Sequence, residues 1–256
     1  MDYTIKIIII RHGHSLGNQT KTFLGHYDLD LSEIGIKQAE KTAEYLKNEK
    51  IDCIFSSDLL RAVNTAAPHA VIHGLDVNKS ELFREVCAGE WENRQIDDII
   101  AEWGREVFYD QWVNNFGCFT FPSGESIRAA GKRFYNELYR ICDNINEYCI
   151  NSADLMDDSI DFPNKSSLNP VIYESKLGDE AIIPNKTILI SSHAAIIRSF
   201  WAIISGIAFE NIAQVLPFAT NASYSVCYLK NGKFEPFSYS NDEHLIDVGI
   251  TKVNLI

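Results

Sequence analysis

Three short runs constrain this chain more than any other feature: "IKIIII" at 5–10, "IDCIFSS" at 51–57 and "KTILISS" at 186–192. A strand with one wet face alternates apolar and polar residues, because successive side chains point to opposite sides. These runs are nearly continuous in Ile, Leu, Phe and Cys. They predict strands buried on both faces, the situation in a parallel sheet covered by helices on each side. The first run ends abruptly in Arg11, His12, Gly13 and His14, so reactive side chains sit at the tip of a buried strand.

The intervening segments supply the covering helices. Ser32 is placed to cap a helix reaching about residue 49, with Ile36, Ala39, Ala43 and Leu46 on one face. Asp58 is placed to cap "LLRAVNTAAPHAVIH", which Pro68 should kink or end. "QIDDIIAEWGREVFYDQW" predicts a weakly patterned helix. A stronger one begins at "SGES", where Ile127, Phe134, Leu138, Ile141 and Ile145 recur at helical steps. "AAIIRSFWAIIS" predicts a buried helix after the third strand, and "SYSVCYLKNGKFEPFSYS" a hairpin turning at Asn231-Gly232. The expected fold class is α/β: a mostly parallel central sheet with helices on both faces, an antiparallel edge hairpin and one acidic insertion.

With 256 residues, a single domain is expected. The exception is about 145–185, read as an insertion or surface loop. Residues 143–180 hold nine acids against two lysines, too polar a stretch to build a core. The whole chain carries −12, a field that repels nucleic acid and anionic membrane. No run approaches the roughly 18 apolar residues of a spanning helix. The expectation is therefore no nucleic acid, no membrane and a cytoplasmic location, with no oligomeric state assigned. The cysteines at 53, 87, 118, 142, 149 and 227 form no CxxC pair or metal-like spacing, so reduced thiols and no metal are expected.

Ligands of open α/β sheets bind beyond the carboxyl ends of the strands. Here those ends carry Arg11-His12-Gly13-His14, then Ser56-Ser57-Asp58 with Arg61 one turn on, then Ser191-Ser192-His193. Two arginines and histidines on one rim suit a phosphate, since a guanidinium forks onto phosphate oxygens and helix N-termini add N–H donors. A metal-hydrolase reading of His12-x-His14 competes, but Arg11 would repel a divalent ion and too few strand–helix units follow.

"IIRHGHSLGNQ", "GHYDLDLSEIGIKQAE", "IFSSDLLRAVNTA", "LFREVCAGEWE" and "ILISSHAAIIR" resemble, in order, the blocks of the histidine phosphatase superfamily in its phosphoglycerate-mutase-like branch. The resemblance implies His12 as the nucleophile that becomes phosphohistidine. It implies Arg11, Arg61 and His193 as the phosphate clamp, Glu85 as proton donor to the leaving oxygen, and Asn18 as a polar contact to phosphate. It puts His14 and His26 at the rim, and it leaves Arg84 to touch substrate or pair with an acid. His69, His73 and His244 are read as solvated, and Trp91 and Trp103 as core or pocket wall.

No cofactor is implied, and the partner is a small-molecule phosphate ester. Phosphomonoester hydrolysis is favoured over mutase-type transfer. The Gly-x-Trp-Glu at 89–92 is phosphatase-like, residues 105–125 hold no adjacent arginine pair, and Leu24 stands where mutases carry a small polar residue. A non-catalytic phosphate-binding protein is the remaining alternative. The helical region at 95–140 and the acidic insertion are expected to cover the pocket.

Overall fold

The computed structural model describes residues 4–148 and 184–249, so most of the acidic segment read as an insertion lies outside the described residues. The elements run β1 (Thr4–Arg11), α1 (Leu16–Thr20), β2 (Thr22–Phe23), α2 (Glu33–Tyr45), β3 (Cys53–Ser56), α3 (Leu60–His73) and β4 (Val77–Lys79). There follow β5 (Arg94–Gln95), α4 (Ile96–Trp103), α5 (Ile127–Asp143), α6 (Ile145–Tyr148), β6 (Lys186–Ser192), α7 (Ala194–Ile204), β7 (Tyr224–Lys230) and β8 (Lys233–Asn241). Six strands form one sheet in the order β4-β3-β6-β1-β7-β8. β4, β3, β6 and β1 are parallel, and β7 and β8 add the antiparallel edge hairpin. At its turn Asn231 and Gly232 both take positive φ, 51° and 74°. β2 and β5 form a separate two-stranded ribbon.

Each apolar run serves two cores. Ile5, Ile7 and Ile9 of β1, with Phe55, Ile188 and Ile190, pack against Phe134 and Leu138 of α5 and Phe200 of α7. Ile8, Ile10, Ile54 and Leu189 point the other way, toward Leu46 and Ala66 behind α2 and α3. Burial on both faces removes any reason for a polar residue at alternate positions. At about 25 cal/mol per Å² of apolar surface, those side chains are a main source of the sheet's stability.

Four local expectations are corrected. α3 does not end at Pro68 but continues to His73 and closes on Gly74 in the left-handed conformation. Proline forfeits one backbone hydrogen bond, and the burial of Thr65, Ala66 and His69 around it offsets that loss. Asp58 does not cap α3; its carboxylate is taken by Arg84, and Asp28 instead accepts from the Leu60 N–H at 2.8 Å. Ile36 is exposed, and α2 buries Gln38 and Thr42 beside Ala39 and Ala43. His69 is fully buried rather than solvated, and burial lowers its pKa to about 3.

The segment 95–113 is helical in two pieces. α4 stops at Gly104, whose φ is 87°, and Glu106–Val113 forms a wider π-type helix carrying Trp112.

Candidate active site

The parallel strands end together. The His12 N–H donates to Ser192 O at 2.8 Å and the Ser57 N–H to Ser191 O at 2.9 Å, which sets the tips of β1, β3 and β6 side by side. The chain then turns at Gly13, whose N–H donates to Thr65 Oγ1 at 3.0 Å. A Cβ on Gly13 would strike the Gly35 carbonyl, and one on Gly35 the His14 carbonyl, so the loop crosses the start of α2 only because both are glycine.

His12 is buried, with Nδ1 2.7 Å from Gly13 O. A carbonyl only accepts, so Nδ1 carries the hydrogen and Nε2 the lone pair. Burial, and after it the charges of Arg61 and Arg11, hold the imidazole pKa well below its ordinary value. At neutral pH the ring is therefore uncharged, with the Nε2 lone pair unprotonated. Burial also lowers both arginines to about 10, which leaves them cationic. Arg61 is aimed by two carbonyls, Gly25 O at 2.8 Å and Tyr27 O at 3.0 Å. Arg11 donates to Ala219 O at 2.6 Å while its buried Nε has no partner among the described residues.

His193 is the N-cap residue of α7 and packs on His12 with ring centroids 5.2 Å apart. It is fully buried, and neither ring nitrogen has a partner among the described residues. Burial first, then Arg61 and His12, lower its pKa well below the ordinary value.

Glu85 takes a position the sequence did not suggest. Its Oε2 accepts from the Ala195 N–H at 3.0 Å, and its Oε1 from the Ile196 and Val86 N–H groups at 2.9 Å each. The carboxylate thus caps α7, which has no side-chain cap of its own. The helix N–H groups expected to face phosphate are occupied, by Glu85 on α7 and by Asp28 on α3.

Arg11, His12, His14, Asn18, Arg61 and Glu85 line one cavity of about 600 Å³. His14 Nδ1 shares a hydrogen bond with Ser32 Oγ at 2.8 Å. Asn18 Oδ1 accepts from Ser15 N and Ser15 Oγ at 3.0 Å each, which turns its amide nitrogen into a donor without an acceptor among the described residues. Phe23, Leu24, Ile96, Trp112, Phe121 and Phe218 add an apolar wall. Phe23, Trp112 and Phe121 meet at ring centroids of 4.9–5.5 Å. Trp91 lies in the core behind them.

Three candidates do not line the cavity: His193, fully buried against His12, and Arg84 and His26. Arg84 is paired with Asp58, and that hydrogen bond holds the Asp58 carboxyl below its usual range. His26 bonds Glu85 O through Nε2 at 2.7 Å, so it steadies the backbone of Glu85 from outside. Sequence reasoning missed a second support. Arg133 on α5 donates to the carbonyls of Leu82, Arg84 and Glu85 at 2.7, 3.0 and 3.1 Å, and it pairs with Glu125. Only its neighbours on the apolar stripe gave a signal there. The fold also gathers His26, Cys87 and Glu92, a trio invisible as spacing.

The model of the histidine phosphatase superfamily (branch 1) matches residues 7–150. A protein named probable phosphoglycerate mutase GpmB, from Yersinia pestis (strain Pestoides F), is 36% identical over 134 residues, 52% of this chain and 61% of that protein. The chain therefore spans less than two thirds of the length of such curated relatives. A mycobacterial glucosyl-3-phosphoglycerate phosphatase superposes with a TM-score of 0.71 at 20% identity, covering 93% of this chain and 99% of its own. A phosphoserine phosphatase mutant from Entamoeba histolytica, solved with phosphoserine, gives 0.68 at 23% identity, covering 94% and 100%. At such identities the likeness speaks for the fold. No helix among the described residues is long and apolar enough to cross a membrane.

Proposed function

The chain belongs to branch 1 of the histidine phosphatase superfamily, and from that premise we propose that it hydrolyses small-molecule phosphomonoesters through a phosphohistidine on His12. The observation that carries the reading is the state of that ring. It is neutral, with Nδ1–H held on Gly13 O and its Nε2 lone pair beside two guanidinium groups. Phosphoryl transfer is mostly a matter of positioning and charge stabilisation. The phosphoryl oxygens lie between Arg11, Arg61 and His193. His12 Nε2 forms a bond to phosphorus as the bond to the leaving oxygen breaks, and Glu85 supplies that oxygen's proton. Water then attacks phosphorus, the N–P bond breaks, and Glu85 takes back a proton. Asn18 and His14 contact the phosphate or the rim of the leaving group.

The lining also supports hydrolysis over mutase-type transfer. A phosphoglycerate needs cations for its carboxylate and second phosphate. Beyond Arg11 and Arg61, Lys21 is the only further cationic side chain lining the cavity among the described residues. The aromatic wall instead favours an ester whose alcohol carries an apolar body. The test is twofold: acid-labile, base-stable phosphate trapped on His12, and a panel of metabolite and aryl phosphates turned over in EDTA. Absence of phosphate on His12 during turnover would overturn the mechanism. Net transfer between phosphoglycerates without release of phosphate would overturn the hydrolase reading.

A further inference from the structure

We propose that His26, Cys87 and Glu92 form an inhibitory site for a zinc-class divalent cation beside the catalytic cavity. One ligand atom from each residue lies within 4.8 Å of the other two, and all three are half-buried. They come from separate stretches, the turn after β2, the segment that carries Glu85, and the end of the turn at 89–91.

The surroundings are arranged as they are around metal ligands. His26 Nε2 donates to Glu85 O at 2.7 Å, which fixes the tautomer and leaves the lone pair on Nδ1. Metal-binding imidazoles characteristically present one nitrogen while a carbonyl or carboxylate holds the other. Glu92 is oriented by two backbone donors on Oε1, from His26 N at 2.9 Å and Ala88 N at 3.0 Å. Its Oε2 takes no hydrogen bond among the described residues. Cys87 is a free thiol. Its proton passes to solvent as the metal–sulfur bond forms, so a thiolate and a carboxylate offset the charge of a dication. Imidazole nitrogen, thiolate sulfur and carboxylate oxygen are zinc donors, and three protein ligands leave a fourth position for water.

The inhibitory effect follows from what the turn carries. The carbonyls on either side of His26, from Gly25 and Tyr27, aim the Arg61 guanidinium. Ligands at about 2.0–2.3 Å from zinc stand roughly 3.3–3.8 Å from one another. Metal binding tightens the triangle onto the ion, and the acceptors of Arg61 move with it. A misplacement on the order of 1 Å in a positioning group costs up to about 10²-fold in rate.

Cobalt(II) is the probe, added to the full chain. One equivalent should produce a near-ultraviolet thiolate-to-cobalt absorption band that Zn²⁺ displaces. Cys87→Ser should abolish the band, and Cys118→Ser should keep it. Zinc should lower turnover of p-nitrophenyl phosphate about tenfold or more, EDTA should restore it, and Cys87→Ser should shift the inhibiting concentration upward by at least tenfold. In the native protein, saturating zinc should protect Cys87 but not Cys118 from alkylation, a readout that needs no variant. A band that survives Cys87→Ser, equal zinc inhibition of that variant, or an unprotected Cys87 would each overturn the site.

Discussion

The two ends of the cavity are held by different forces. At the strand tips His12, Arg61 and Glu85 are fixed by directional bonds to backbone: His12 by Gly13 O, Arg61 by Gly25 O and Tyr27 O, Glu85 by the first turn of α7. At the apolar wall Phe23, Trp112, Phe121 and Phe218 hold one another by ring packing, with the Arg198 guanidinium stacked on Phe218. Hydrogen bonds specify angle as well as distance, and transition-state chemistry needs both. Ring packing specifies volume and tolerates shape changes. Under the proposed hydrolysis the first end would fix the reaction and the second choose the alcohol that leaves.

His12→Ala should break this division most completely. Turnover of every ester and phosphoenzyme formation should both vanish while the circular dichroism stays native; full activity would sink the mechanism. Glu85→Gln comes next, and only on some substrates. A positioned acid contributes typically about 10²–10⁴-fold where the leaving group is a poor one. Alkyl phosphate hydrolysis should fall by that order, and p-nitrophenyl phosphate should be largely spared. Equal losses on both would assign Glu85 to holding phosphate. His193→Ala should lose about ten- to 150-fold in kcat/KM, since hydrogen bonds to charged groups contribute about 1.5–3 kcal/mol. Near-native values would remove it from the phosphate contacts.

Arg61→Gln should lose a similar factor and also move the acid limb of the pH–rate profile. Burial, Arg61 and Arg11 keep the native His12 neutral as pH falls through its ordinary value. Without the Arg61 charge its pKa rises, so the fall in kcat/KM toward acid should begin at higher pH. An unmoved limb would mean that burial alone sets the state of the ring. Trp112→Leu tests the other end and should have the smallest effect. KM for aryl esters should rise roughly two- to tenfold, in line with about 0.5–1.5 kcal/mol per aromatic contact, with kcat nearly unchanged. A comparable loss in kcat would show that the wall also positions the reacting phosphorus.

The sequence made these two ends unequally legible. β1 is apolar from Ile7 to Ile10 because α5 and α7 cover one face and α2 and α3 the other, and its reactive residues are contiguous with that run. The aromatic wall is assembled from positions 23, 112, 121 and 218, and no local pattern ties such distant residues together. Asp58 is a sound cap by local chemistry, but Arg84 offers it a bidentate partner and Asp28 reaches the helix instead. His69 followed the same logic: a polar residue on a helix reads as wet until the neighbouring elements close over it. The role of Arg133 was hidden because its acceptors are backbone carbonyls, which every residue possesses.

The carboxylate of Glu85 at the head of α7 has a spectroscopic consequence. Ala195 and Ile196 donate their amide hydrogens to the group proposed to give up and recover a proton in each cycle. When that carboxylate gains a proton, both amides lose an anionic acceptor, and their nuclear resonances should shift together. Two backbone signals in an otherwise buried helix would then follow the protonation of the acid directly, in the resting protein and with phosphate or vanadate bound, without a label on the acid itself.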